Sequence, residues 1–186
     1  MLDEVKDIIE PSTLPKKRKE LFYYLAGFAD AEGCFTVSLK HQESARFSWV
    51  LDPVFHITQH KNNLQILELY KRMLMCGRII RKYGQPNTFQ FYVDNRKQLI
   101  EKIIPFFERY KLITKVDDFK KFKRIVIGLE NKEHSDINMF KKLVKVAFKM
   151  NLEGKQRRYK LEDILNDLDQ YSGSSEAIRQ TSTEKP

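Results

Sequence analysis

The chain has little cysteine, little histidine and no long apolar run, and each shortage removes a class of function. Cys34 and Cys76 are the only cysteines, and neither belongs to a Cys-x-x-Cys pair, so a cysteine-based zinc site is excluded. Both read as buried thiols of a reducing compartment. The histidines, His41, His56, His60 and His134, lack metal-ligand spacing as well. No segment approaches the roughly 18 consecutive apolar residues of a membrane helix, and the first residues lack the apolar core of a secretory signal. A soluble intracellular protein with no membrane partner is expected.

What the chain has in excess is positive charge. Lysine and arginine total 34 against 25 aspartates and glutamates, for a net charge of +9 and a pI near 9.4. That is the electrostatic footprint of a phosphate-binding protein, ribosomal proteins included. The basic residues recur over 16–19, 78–82, 120–124, 141–149 and 155–160 rather than in one tail, so several faces of the fold are basic. A length of 186 residues suits one domain with a sizeable core.

The most informative segment is Leu25-Ala26-Gly27-Phe28-Ala29-Asp30-Ala31-Glu32-Gly33. Read as a helix from about Lys16, it places Leu21, Leu25 and Phe28 on a core-facing stripe. Tyr23, Ala26, Gly27 and Asp30 fall on a second stripe. Glycine inside a helix costs about 1 kcal/mol relative to alanine, and close approach of a second helix is a reason to keep it there. The second stripe therefore predicts a subunit interface. Asp30 and Glu32 stand at the C-terminal end, where the helix dipole opposes carboxylates. Two acids there point to a metal ion, although solvated or capping carboxylates fit the same spacing.

Residues 34–40 alternate, with Phe35, Val37 and Leu39 on one face and Thr36, Ser38 and Lys40 on the other, the pattern of a half-buried strand. Residues 54–58 repeat it, with Phe55 and Ile57 inward and Val54, His56 and Thr58 outward. A helix follows from Leu64, ending near Cys76-Gly77. Residues 78–82 and 89–93 read as a hairpin around Gly84 and Pro86. Residues 96–110 are helical with a break or kink at Pro105, and further helices are expected from Asp117, over 137–149 and around 161–168. This order predicts an α+β fold with an αββαββα core: a four-stranded antiparallel sheet with helices over one face. The bare face would carry Thr36, Ser38, Lys40, His56, Arg78, Lys82, Gln90 and Tyr92. These side chains suit base edges and phosphates, and equally an ordinary solvated sheet face.

The segment 25–33 resembles the motif of the LAGLIDADG homing endonucleases, DNA-cutting enzymes encoded within introns or inteins. Residues 51–60, 76–79, 93–96 and 104–106 extend the resemblance, over about 21–110, to the single-motif subgroup found in introns of large-subunit ribosomal RNA genes. The resemblance implies a sheet that forms a saddle on double-stranded DNA, and motif helices of two subunits packed side by side. In the family the penultimate acid of the motif binds a divalent metal at the scissile phosphate. That position is Glu32 here, where the usual aspartate is one methylene shorter, and the carboxylate oxygen that Mg²⁺ requires is kept. The resemblance further implies the Ala31 carbonyl as a metal ligand and Gln59 as the residue ordering water near the metal. A lysine at the start of a later helix would support the charge of the cleaved phosphate; Lys115 matches by order along the chain, with Lys111 the alternative.

No second Ala-Gly helix with terminal acids occurs over 110–186. Two active sites for double-strand cleavage then require a C2 homodimer and a roughly palindromic target. The expected organisation is an irregular arm over 1–15, one endonuclease domain over 16–170, and a disordered tail over 171–186, rich in serine, threonine, glycine and charge. Two other functions stay open: an RNA-binding maturase that assists splicing of its host intron, and a non-catalytic DNA-binding regulator. Intact acids in the motif argue against the regulator. A chloroplast, a mitochondrion or a prokaryotic cytoplasm would each fit.

Overall fold

The computed structural model describes residue 9, residues 14–151 and residues 158–181, the side chains of 172–181 excepted. Of the irregular arm expected over 1–15, residues 1–8 and 10–13 lie outside that description, while Ile9 and Leu14 pack against the core.

Helix α1 (Arg18–Glu32) opens the fold and buries Leu21, Leu25, Ala26 and Ala29. It starts at Arg18 rather than Lys16 because Lys17 is extended and no side chain caps the end. Ala26 corrects an expectation: instead of facing a partner it is 2% exposed, inside the chain's own core. It lies three residues before the buried Ala29 and four after the half-buried Phe22, so the helical repeat assigns it to the core edge.

The chain passes from α1 into β1 (Gly33–His41) without a loop. β1 pairs antiparallel with β2 (Trp49–His60), in a register running from Gly33↔Ile57 to His41↔Trp49. β2 extends well beyond the expected 54–58. Pro53 falls where β2 has β1 on one side and no strand on the other, a place where a strand accepts proline. Val54 faces outward as expected, opposite Thr36, yet it is 5% exposed. A short side chain, it is flanked along the strand by the longer Asp52 and His56.

A 3₁₀ turn (Lys61–Asn63) leads into α2 (Leu64–Leu74), which ends on Met75 in the left-handed conformation. Gly77 then also has positive φ, at 72°, and a Cβ there would come within 2.7 Å of the Phe91 ring. Glycine alone meets both demands. β3 (Arg78–Arg81) and β4 (Thr88–Val93) form the expected hairpin, and β4 pairs with β2 from Phe55↔Val93 to His60↔Thr88. The sheet order is β1-β2-β4-β3.

After β4 the helix is interrupted as Pro105 suggested. A short α3 (Arg96–Gln98) runs into a π-helical turn (Leu99–Ile103) and then α4 (Ile104–Arg109), with Pro105 in its first turn. The wider turn lets Ile104 N–H bond back to Leu99, just before the residue that has no N–H to give. α5 (Val116–Glu130) and α6 (Ile137–Phe148) follow, and α7 (Leu161–Thr181) closes the fold. α7 overturns the expected disorder from residue 171. Tyr171 is still helical, and its hydroxyl lies 2.8 Å from Ser48 Oγ while its ring meets Phe47 at 5.8 Å. Tyr171 thus meets the β1–β2 connection, a contact that local composition does not reveal; 182–186 lie outside the described residues.

The inward face of the sheet supplies Phe35, Val37, Phe55, Ile57, Phe91 and Val93 to one core with the helices. Phe35 is its hub, with ring centroids of Phe55, Phe107, Phe119 and Phe122 at 5.0 to 5.4 Å. Tyr70 ties α2 to α1, its hydroxyl donating to the Leu25 carbonyl inside the core. No described helix is long and apolar enough to cross a membrane.

Candidate active site and nucleic-acid interface

The last turn of α1 and the entry to α5 form one unit. Asp30 accepts hydrogen bonds from three consecutive backbone N–H groups, those of Ile113 (2.9 Å), Thr114 (2.9 Å) and Lys115 (2.9 Å), and from the Thr114 hydroxyl (2.9 Å). Burial pushes the Asp30 carboxyl up, but the bonds from Thr114, Lys115 and Ile113 outweigh it and hold it below the usual carboxylate range. Asp30 therefore belongs to an internal contact rather than to the interface stripe on which its spacing placed it. Instead of capping a first turn, Asp30 accepts from the N-cap residue of α5, Lys115, and from the two residues before it.

Lys115 completes the unit. Its Nζ donates to the carbonyls of Asp30 and Ala31, each at 2.6 Å, at the negative end of the α1 dipole. Lys111, the alternative by sequence order, is exposed and makes no such contact among the described residues. Glu32, one residue beyond Ala31, is exposed and has no hydrogen-bond or ion-pair partner among the described residues. Because Gly33 is already the first residue of β1, Glu32 is fixed between a helix and a strand rather than carried on a loop. Cys34 stands beside the unit, where burial pushes its thiol up despite the nearby Lys115, which makes it an inert thiol.

Gln59 approaches from β2. Ile57 pairs with Gly33, so Gln59 lies just past that rung, at the end of the sheet where α1 enters. It accepts a hydrogen bond from Asn63 Nδ2 at 3.2 Å and lines a groove with Tyr24 and Phe28 of α1. It makes no hydrogen bond with Glu32 among the described residues.

The donor set at the α1 end is oxygen-only, which matches hard divalent cations. No cluster of three or more His, Cys, Asp or Glu side chains occurs among the described residues. One chain therefore supplies the free Glu32 carboxylate and main-chain oxygens, and a complete coordination shell needs water, phosphate or a second copy.

The other face of the sheet gathers all eight side chains expected there, by alternation and register. Their surroundings differ from the expectation of free readers. Lys40 is ion-paired with Asp52. Arg78 makes a bidentate pair with Asp94 at 2.6 and 2.8 Å and lies 5.1 Å over the Tyr92 ring. Gln90 donates to Thr58 Oγ1 at 2.9 Å, and Thr36 to the Val54 carbonyl at 3.3 Å. Ser38 is exposed, and Lys82 is half-exposed just past β3. His56 stacks on Tyr92 at 6.4 Å; burial first, then nearby Lys82, lowers its pKa, so it is neutral at pH 7. Asp52 and Asp94 are the residues sequence reasoning missed. Asp52 lies in β2 and Asp94 just past β4, so the pairing of these strands with those of Lys40 and Arg78 was the only signal, and that requires the register.

On the outer side of α1, Tyr23 and Tyr24 are 52% and 50% exposed. A Cβ added at Gly27 between them and the end of the helix would meet nothing within 4 Å. Among the described residues nothing requires glycine there.

Comparisons with known proteins agree with this geometry. The profile of the LAGLIDADG endonuclease family matches residues 25–126. The chain is 36% identical over 118 residues to DNA endonuclease I-CeuI of Chlamydomonas moewusii, a stretch covering 61% of this chain and 54% of that one. It is 34% identical over 146 residues to homing endonuclease I-ApeII of Aeropyrum pernix, covering 76% of this chain and 86% of that one. Among solved structures, the archaeal intron-encoded homing endonuclease I-Vdi141I complexed with DNA superposes with a TM-score of 0.79 and 40% identity, covering 84% of this chain and 99% of that one. I-CeuI complexed with DNA superposes with a TM-score of 0.76 and 27% identity, covering 89% and 85%. The chain belongs to the LAGLIDADG endonuclease family. Its fold is that of a site-specific homing endonuclease, an enzyme class whose members generally use divalent metals.

Proposed function

We propose that the protein is a homodimer that makes a double-strand break in a long, roughly palindromic DNA target by Mg²⁺-dependent phosphodiester hydrolysis. One observation carries the reading: Glu32 is a carboxylate without a partner among the described residues, and the Lys115 ammonium rests on the carbonyl just before it. A free acid beside a fixed cation suits the joint binding of a divalent ion and a scissile phosphate.

Glu32 and the Ala31 carbonyl would hold the metal, which when bound polarises the phosphate and lowers the pKa of water. A carbonyl oxygen has two lone pairs, so Ala31 can accept from Lys115 and still face a cation. Lys115 sets a fixed positive charge against the charge that grows on the phosphate oxygens. Gln59 orders water with its amide. The water oxygen bonds to phosphorus and gives a proton up to solvent as the bond to one sugar oxygen breaks and that oxygen takes a proton from solvent, and no covalent enzyme intermediate forms. Lys40, Arg78, Gln90 and Tyr92 lie where they would meet base edges and phosphates, with Thr36, Ser38, His56 and Lys82 on the same face. A second copy is required because the motif supplies one such acid per chain, and Tyr23, Tyr24 and Gly27 are among the exposed α1 positions that could meet it.

The test starts from a plasmid library of randomised sites incubated with the protein and Mg²⁺, with the cut ends sequenced to define a target. On that duplex Glu32→Gln should bind as tightly as the unaltered protein or slightly more so, and cut on the order of 10²-fold to 10³-fold more slowly. Cleavage by Glu32→Gln at a near-normal rate refutes the assignment.

A further inference from the structure

We propose that Asp30 is a positioning residue for Lys115: its carboxylate, by gathering the N–H groups of Ile113, Thr114 and Lys115, fixes where the Lys115 amine meets the end of α1. The proposal rests on the reading of Lys115 given above and goes beyond it, because it assigns a separate task to the first acid of the motif. The two acids stand two positions apart and do unlike work. Glu32 faces outward without a partner among the described residues, whereas Asp30 is saturated within the chain.

The need for such a residue follows from helix geometry. The first N–H groups of a helix have no partner inside it, and the residue at the N-cap ordinarily supplies one. At α5 the N-cap is Lys115, whose side chain makes no capping bond. Asp30 instead accepts, from across the fold, the N–H of that N-cap residue, 85 positions later, and those of the two residues before it, and so holds the chain where it enters α5. Bonds from N–H to a carboxylate are charge-assisted and about twice as strong as neutral ones. The contact is also doubled, for the Thr114 hydroxyl and Lys115 Nζ donate to the main-chain carbonyl of Asp30 at 3.1 and 2.6 Å. Lys115 is thus held at its own N–H and at its amine by the same residue. A side chain with four flexible bonds loses its freedom before any substrate arrives, which is the preorganisation a charge-stabilising group needs. Because Asp30 and Glu32 share the last turn of α1, a shift of that helix carries amine and acid together.

Two measurements test this. The first is a double-mutant cycle on the plasmid site selected by the unaltered protein in Mg²⁺, using Asp30→Asn, Lys115→Met and the pair. Lys115→Met should slow single-turnover cleavage on the order of 10²-fold, and Asp30→Asn by about tenfold to a hundredfold, with DNA affinity held within threefold. In the Lys115→Met background Asp30→Asn should cost less than about threefold more, since residues acting as one unit are non-additive. Losses that multiply, or an Asp30→Asn rate within twofold of normal, overturn the proposal. Should Asp30→Asn fail to fold, Thr114→Val removes the hydroxyl donor alone and is read by the same criteria at smaller amplitude. The second measurement needs no cleavage. In the metal-free protein labelled with ¹³Cε-lysine, the NMR signal lost in Lys115→Met should move towards the exposed-lysine signals in Asp30→Asn, and a signal that stays in place overturns the proposal. Failure of the unaltered protein to cut any library member would refute the function, while the NMR result still decides the positioning.

Discussion

At the end of α1 an acid is held by backbone N–H groups, whereas on the outer face of the sheet each acid described above is held by another side chain. Asp30 is gripped by a continuous stretch of main chain at 113–115, which leads directly into α5. Asp52 and Asp94 are gripped by Lys40 and Arg78, whose side chains are 61% and 54% exposed. Exposed ion pairs contribute about 0–1 kcal/mol each, so either cation can exchange its acid for a phosphate or a base edge at little cost. The first arrangement suits chemistry, which needs groups fixed in advance. The second suits reading a surface, which needs charges that are oriented in the free protein and transferable in the complex.

The sharpest way to break this comparison is to run Glu32→Gln and Arg78→Ala on one duplex. The α1 change should abolish cutting and spare binding; the sheet change should alter base preference and spare the rate on its best site. A rate collapse from Arg78→Ala with an unchanged preference profile would erase the distinction. Gly27→Leu comes next. If α1 meets a second copy along Tyr23, Tyr24 and Gly27, the larger side chain should shift sedimentation from dimer towards monomer and remove double-strand cleavage. A monomeric unaltered protein that still cuts both strands would sink the interface.

Within the sheet, Arg78→Ala should cost about 1–3 kcal/mol of discrimination at one or a few base pairs. Asp94→Asn should do the reverse for overall affinity. With Arg78 released, binding to all sequences tightens and the preference profile flattens, which a selection on randomised duplexes reads directly. Lys142, exposed on α6, is the control and should change the slope of log affinity against log salt by no more than the roughly 0.9 of one phosphate contact. Lys141 is a poor control, since it is 15% exposed and paired with Asp169 of α7.

The smallest effect concerns acid stability. The Arg78 hydrogen bond and charge hold the Asp94 carboxyl below its usual range, against the opposing effect of burial. A depressed folded-state pKa contributes stability that is fully present above the unfolded value, about 3.9, and is lost as pH falls through the folded value. Urea midpoints of the unaltered protein should therefore drop between about pH 4 and pH 2 slightly more than those of Asp94→Asn. Equal slopes would mean that the pair contributes nothing to the free protein, the extreme form of a transferable charge.

Local pattern determined much of this protein. Alternation around Phe35 and Val37, around Phe55 and Ile57 and around Phe91 predicts strands and the inward face, because a strand's side-chain period is two wherever the chain lies. Gly77 and Pro105 mark a turn and a helix disturbance for reasons internal to their own backbones. The spacing of Asp30 and Glu32 placed both acids at one helix end. What spacing could not decide is which of them is free, since that depends on 113–115 arriving from the α4–α5 connection. Lys115 matched by order along the chain with Lys111 as the alternative, and only the tertiary structure, which brings the entry to α5 against the end of α1, puts Lys115 on the Ala31 carbonyl. Ala26 looked like its neighbour Gly27 until the core closed over it. The same holds for Asp52 and Asp94, which acquire their cations through strand register, and for Tyr171, which meets a loop more than a hundred positions away. Secondary structure reads out interactions between near neighbours in sequence, whereas the state of a charged side chain is set by whatever the fold brings to it from far along the chain.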